Sequence, residues 1–202
     1  MDEVHKPHNL AAIVRTCDAI GIGEVHAVYP ESVLKKCRGT AMGSNQWVVT
    51  HTHKDLSSGL TQMHSEKKQI LAAHFSDRAV DFRQIDYTKP TAILVGSEKF
   101  GVSEQAAEMA DEHILIPMLG MVQSLNVSVA AAIILYEAQR QREAVGLYRK
   151  RQLSDAICEN LRFEWLHPEV KKYCDKHDIR YPIIDENGDI RDKAWHQLRH
   201  SI

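Results

Sequence analysis

Apolar and polar positions along the chain keep two alternating rhythms. Leu10, Ile13, Val14, Cys17 and Ile20 recur at helical spacing, and Gly21 supplies a stop. Residues 24–29 (EVHAVY) then read as a strand closed by Pro30. Further on, the pattern predicts a helix over 32–42, a short strand over 46–51 and a weakly amphipathic helix over 56–67. Strands follow at 70–75 (ILAAHF) and 91–96 (TAILVG), then a helix over 103–110 with Ser103 as its cap, and a strand over 113–116. A long helix runs from about residue 124 to residue 142. Strands and helices in this alternation predict an α/β fold with a mostly parallel sheet flanked by helices.

The segment 116–137 stands out. Its loop through Pro117 and Gly120 leads into Ser124, Asn126 and Ser128 and then into a run from Val129 to Tyr136 that is apolar nearly all round. Such a run reads as a fully buried helix, and polar groups at its mouth are costly unless they bond something. Near Gly146 the pattern changes: charges become dense (RKRQLSDAICENLRFEW) and periodicity fades. Asn187-Gly188, between Ile183-Ile184 and Ile190, predicts a hairpin turn.

With 202 residues the chain suits one domain over 1–148 and an extension over 149–202. The formal net charge of −2 gives no global field for nucleic acid, so any such contact rests on local patches. Residues 150–202 carry ten Lys/Arg and ten Asp/Glu and are not a basic arm. Cys17, Cys37, Cys158 and Cys174 form no C-x-x-C pair, which suits a reducing, cytoplasmic setting. No signal-like leader or membrane-length apolar run is present.

Gly21-x-Gly23 follows a helix and precedes a strand, the reverse of a dinucleotide loop, and no P-loop pattern occurs. Gly96-Ser-Glu-Lys-Phe-Gly101 directly follows a buried strand, where parallel sheets place ligands; it reads equally as a solvated loop carrying the Glu98 and Lys99 charges. Around the first helix the apolar stripe and Arg15 fall on opposite sides, with Arg15 at about 140° from Leu10. Asn9 stands where an N-cap is expected. His5-x-x-His8 and His51-x-His53 lack Cys or carboxylate partners at metal spacing and read as surface histidines, so no metal is expected. Lys35, Lys36 and Arg38, and Arg140, Arg142, Arg149, Lys150 and Arg151, could meet phosphate or simply face water.

Three blocks taken together, HNLAAIVRTCDAIGI (8–22), ILVGSEKFGVSE (93–104) and IPMLGMVQSLNVSVAAAIILYEAQRQR (116–142), resemble in order and spacing the three motifs of the SpoU branch of the SPOUT RNA 2′-O-ribose methyltransferases, nearest its tRNA guanosine-18 group. The likeness covers about residues 3–148 and is loose beyond. It implies an α/β fold with a C-terminal trefoil knot at about 91–142, a homodimer formed through that region, and S-adenosyl-L-methionine as cofactor. By position, Asn9 and Arg15 match the first motif, Glu98 the second, and Ser124 and Asn126 the third, as catalytic residues. Ala73, Gly96, Ile116, Met118 and Leu125 match positions that cradle the cofactor.

A ribose hydroxyl is a poor nucleophile, so transfer needs proton removal and in-line placement. Because an arginine keeps its proton in proteins, Arg15 is expected to position phosphate and stabilise developing alkoxide, or to combine that with a base role. Family members carry further residues ahead of the VHKPHN stretch that contribute tRNA contacts, whereas this sequence enters the motif almost at once. The resemblance implies methylation of a D-loop guanosine ribose at position 18 of tRNA, with no DNA or membrane partner. The alternatives are a ribosomal RNA 2′-O-methyltransferase and a non-catalytic knotted RNA-binding protein.

Overall fold

The computed structural model describes residues 1–2, 4, 6–28, 46–97, 99–191 and 195. The helix expected over 32–42, the Lys35, Lys36 and Arg38 cluster, His5 and Glu98 lie outside the described residues. The chain forms two compact units, Met1–Arg149 and Lys150–Ile202.

In the first unit the described elements are α1 (Pro7–Ala19), β1 (Glu24–Val28), β2 (Val49–His53), α2 (Leu56–Ser65), β3 (Gln69–Ala73), β4 (Val80–Asp81), β5 (Thr91–Leu94), α3 (Glu104–Met109), β6 (Glu112–Leu115) and α4 (Val127–Ala144). A 3₁₀ turn, Phe82–Gln84, follows β4. Four strands form a parallel sheet in the order β4-β6-β3-β5, and β1 pairs with β2, also in parallel. Residues 1 and 2 join the two pieces. Val28 N–H donates to the Met1 carbonyl at 3.2 Å, and Asp2 N–H donates to the Val95 carbonyl at 2.8 Å. The Asp2 carboxylate then accepts the Ser103 N–H at 2.9 Å, ahead of α3.

The strand β3 is buried on both faces, which is why it is apolar without alternation. Ile70 and Ala72 pack with Leu60 and Met63 of α2 and Ala106 and Ala107 of α3. Leu71 faces the other way, against Phe82, Tyr87, Ile114 and Ile134 of α4. A third cluster joins Leu10, Ile13, Val14 and Cys17 of α1 to Val25, Ala27, Val95, Ala131 and Leu135. The stretch ahead of β5 is fastened to α4 by polar contacts. Gln141 accepts from Tyr87 N–H at 3.1 Å and donates to the Ile85 carbonyl at 3.0 Å, while Arg142 donates to the Tyr87 carbonyl at 3.1 Å.

Several expectations need correction. The first helix begins at Pro7, whose missing N–H and fixed φ suit a first helical position; Asn9 is therefore inside the first turn and not its cap. Nor is α4 buried all round: it begins at Val127 under an Asn126 cap, and Val129, Ile133 and Tyr136 form an exposed apolar stripe at positions i, i+4 and i+7. Ser103 does cap α3, accepting from Ala106 N–H. The short strand β4 and the 3₁₀ turn had no signal in the pattern; two residues are too few to show a period.

In the second unit, where periodicity seemed to fade, two helices form: α5 (Asp155–Leu166), capped by Ser154, and α6 (Pro168–His177). Their few buried residues, Phe163 and Cys174, explain the faint signal among so many charges. The Phe163 ring stacks on Tyr181 at 4.8 Å. The turn at Asn187-Gly188 forms, with Ile184 bridged antiparallel to Ile190 and Gly188 at φ +91°. Among the described residues no helix is long and apolar enough to cross a membrane.

One position tests the packing sharply. A Cβ on Gly96 would lie 2.0 Å from the Gly101 carbonyl group, whereas one on Gly101 would meet nothing within 4 Å and suffer only from the positive φ of +70°. Gly101→Ala is expected to cost about 1 kcal/mol, the ordinary left-handed penalty. Gly96→Ala should cost several times more or prevent folding. Chemical denaturation of both variants checks the ratio, and equal losses would contradict this packing.

Candidate active site

The parallel register sets several strand ends level. Ala72 pairs with Leu94 of β5, and Ala73 pairs with Ile114 of β6. Ala73, Gly96 and Ile116 therefore sit at or just past the carboxyl ends of three adjacent strands, the edge where parallel sheets place ligands. Past Gly96 the chain folds straight back. Ser97 and Gly101 exchange backbone hydrogen bonds at 2.9 Å each way, and Phe100 N–H donates to Ser97 Oγ at 3.2 Å. This turn is possible because Gly96 has no side chain to obstruct the returning backbone.

From Ile116 the chain crosses an open loop. Met118 and Leu125 are half-buried, while Ser124 is exposed. Asn126 then does two things at once. Its side-chain oxygen accepts Ser128 N–H at 2.8 Å and Ser128 Oγ–H at 2.6 Å, capping α4. Its amide donates to Asn9 Oδ1 at 3.1 Å. Asn9 is only 2% exposed, so this bond joins a buried polar group in the first turn of α1 to the start of α4. Two residues 117 positions apart, from the first and third sequence blocks, thus meet side chain to side chain.

Arg15 lies exposed further along α1, on the side away from the apolar stripe, as the helical wheel indicates. Ser124 lies on the exposed loop ahead of Asn126, and Glu98 is outside the described residues.

The sequence reading missed a second polar group beside the same edge. His113 of β6 is buried, with Nδ1 2.7 Å from Ser76 Oγ and Nε2 2.6 Å from Arg78. Nε2 also lies 2.8 Å from the Ala107 carbonyl, so an arginine that only donates and a carbonyl that only accepts meet at the same ring nitrogen. Arg78 also donates to the Ala107 carbonyl at 2.9 Å. His74, edge-on to His113 at 5.1 Å, is held below the ordinary imidazole pKa, first by burial and then by His113 and Arg78. No spacing rule links positions 74, 76, 78 and 113; only the β3–β6 register brings them together.

Comparison with known proteins agrees with this architecture. Residues 1–136 match the SpoU rRNA Methylase family, and residues 140–193 match the family described as SpoU, rRNA methylase, C-terminal. The chain is 48% identical over 198 residues to the tRNA (guanosine(18)-2′-O)-methyltransferase of Escherichia coli K12, covering 96% of this chain and 86% of that one. Among solved structures, the TrmH/SpoU tRNA modifying enzyme of A. aeolicus superposes with a TM-score of 0.71 at 42% identity, covering 89% of this chain and 87% of that one. The AdoMet-bound rRNA methyltransferase of Sinorhizobium meliloti gives 0.62 at 32% identity, over 69% of this chain and 54% of that one. With two thirds of its length matched by one family model and 48% identity to a relative along nearly all of it, the chain belongs to the SpoU methylase family.

Proposed function

We propose that this chain transfers a methyl group from S-adenosyl-L-methionine to the 2′-hydroxyl of guanosine 18 in the D-loop of tRNA. The observation that carries this reading is the match along nearly the whole chain to an enzyme of that name, at 48% identity. The Asn9–Asn126 bond supports it locally, because it ties together two of the sequence blocks to which the chemistry is assigned.

S-adenosyl-L-methionine supplies an electrophilic methyl group on a sulfonium. The residues present suit such a ligand: Ala73 and Gly96 are small, they stand with Ile116 at three neighbouring strand ends, and Met118 and Leu125 offer half-buried apolar cover. Arg15, on the outward side of α1, holds substrate phosphate and stabilises negative charge developing on the ribose oxygen. Asn9 and Asn126 fix the start of α4, Ser124 presents a hydroxyl from the exposed loop, and Glu98 is assigned to the chemistry by its place in the second sequence block.

The active form is a homodimer. The exposed stripe Val129, Ile133 and Tyr136, with Leu119, Met121 and Val122 exposed on the preceding loop, is apolar surface of the kind that marks an interface. A second copy there would complete the site reached by the outward Arg15. Residues 91–142 thread as a trefoil knot; the fastening of α4 to the stretch before β5 through Gln141 and Arg142 supports that reading. The protein works in the cytoplasm.

Incubating the protein with labelled cofactor and separate tRNA and ribosomal RNA, then digesting and weighing the nucleosides, should place 2′-O-methylguanosine at tRNA position 18. Label in ribosomal RNA alone would replace the assignment with the ribosomal one, and label in neither would favour a binding protein. Arg15→Ala should lower methyl transfer at least 100-fold with little loss of stability, since the residue is exposed.

Asn126→Ser, which keeps a good helix cap but loses the donor to Asn9, should retain stability within about 1 kcal/mol. Its turnover should nonetheless fall at least tenfold. Ile133→Glu should halve the sedimenting mass and abolish turnover together; unchanged mass would move the interface elsewhere.

A further inference from the structure

Away from the strand-end site, ligand-type side chains concentrate on the β1–β2 pair. Glu24 and His26 alternate along β1 and so share a face, and the parallel register sets His51 opposite His26, with His53 next along. The His26 ring stacks on His51 with centroids 4.7 Å apart and on His53 at 5.2 Å. His26 Nδ1 lies 2.9 Å from His53 Nε2. Its other nitrogen, Nε2, is buried and is the one such side-chain nitrogen or oxygen among the described residues without a hydrogen-bond partner. Facing it, Glu24 Oε2 lies 3.9 Å from His26 Nε2 and 3.8 Å from His51 Nε2. One atom from each of these three residues falls within 4.8 Å of the others.

We propose that Glu24, His26 and His51 bind a divalent first-row transition metal, zinc foremost, with water completing the coordination. Two imidazoles and one carboxylate are a donor set for zinc rather than for calcium or magnesium, which prefer oxygen alone. Tetrahedral zinc places its ligand atoms about 3.4 Å apart, so the two Glu24 distances have to contract by about half an ångström and the distance between the histidines by up to about 1.4 Å. The parts that must move are the free ones. The side chains of Glu24 and His51 are 61% and 43% exposed, against 16% for His26. Since His51 stacks on His26, it turns to aim its lone pair while His26 stays fixed.

The inner histidine is prepared for this role. Metal on Nε2 would put the His26 proton on Nδ1, where His53 Nε2 at 2.9 Å stands ready to accept it, the supporting contact that metal-bound histidines require. Lys68 is paired with Glu66 at 2.5 Å, which offsets its repulsion of a cation. The Gly59 position of α2 passes close to the His53 ring, where a Cβ would come within 3.2 Å, and so holds the supporting imidazole in place. A bound ion would clamp β1 to β2.

The test uses full-length protein stripped with chelator and freed of any histidine tag, titrated with Zn²⁺ against a chromophoric competitor and with Co²⁺ as a visible-absorption probe. One equivalent per chain should bind and raise the melting temperature. His51→Ala and Glu24→Gln, both exposed and tolerant of change, should each weaken binding at least tenfold and remove the thermal shift. His177→Ala, in the second unit, should leave both unchanged. Wild-type affinity weaker than about 100 μM, or binding indifferent to both ligand substitutions, would overturn the site. Because the readouts are metal binding and stability, the outcome is independent of whether the chain methylates tRNA.

Discussion

Ile70, Leu71 and Ala72 of β3 are completely shielded from solvent, and the rest of the first unit is arranged around that fact. A strand with no exposed face needs a layer on each side, which α2 and α3 supply on one and α4 with Phe82 and Tyr87 on the other. It also needs partners for both edges, and the crossovers that parallel partners require bring β5 and β6 alongside. Their carboxyl ends then fall level by necessity, so the position of the candidate site follows from how the central strand is buried.

That much was legible in the sequence. The alternation of strands and helices, the cap at Ser103, the turn at Asn187-Gly188 and the outward placement of Arg15 rest on local pattern, and each appears in the structure. What local pattern misjudged has a shared cause. Asn9 looked like a cap because its side chain suits one, but Pro7 had already opened the helix, and the amide was kept for a partner 117 residues away. The stripe on α4 looked like core because hydrophobicity alone does not tell a buried face from the exposed one found here. The helices α5 and α6 were faint because a small unit with few buried residues has little apolar contrast to show.

The histidines show the same limit from another direction. His51-x-His53 taken alone is a bland pair, and His26 stands 25 residues before the first of them. Strand pairing makes them neighbours, and no spacing rule spans two strands separated by a connection of about twenty residues. The same holds for His113 with Ser76 and Arg78. Chemistry assembled across a parallel ladder is invisible to linear motifs, whereas the Asn126 cap, being local, was half visible.

The Asp2 contacts carry a consequence in time as well as space. Asp2 binds Val95 and Ser103, a partner 101 residues further along. At ribosomal rates of about 5–20 residues per second, a chain that has just exposed Asp2 waits on the order of ten seconds before its last partner emerges. Until then the β1–β2 pair cannot be joined to the main sheet through this stitch, and its inner apolar face (Val25 and Ala27) lacks its final cover. Closure of this stitch therefore waits until about half of the 202 residues have been made, set by the length of chain between its two ends rather than by the speed of any one element.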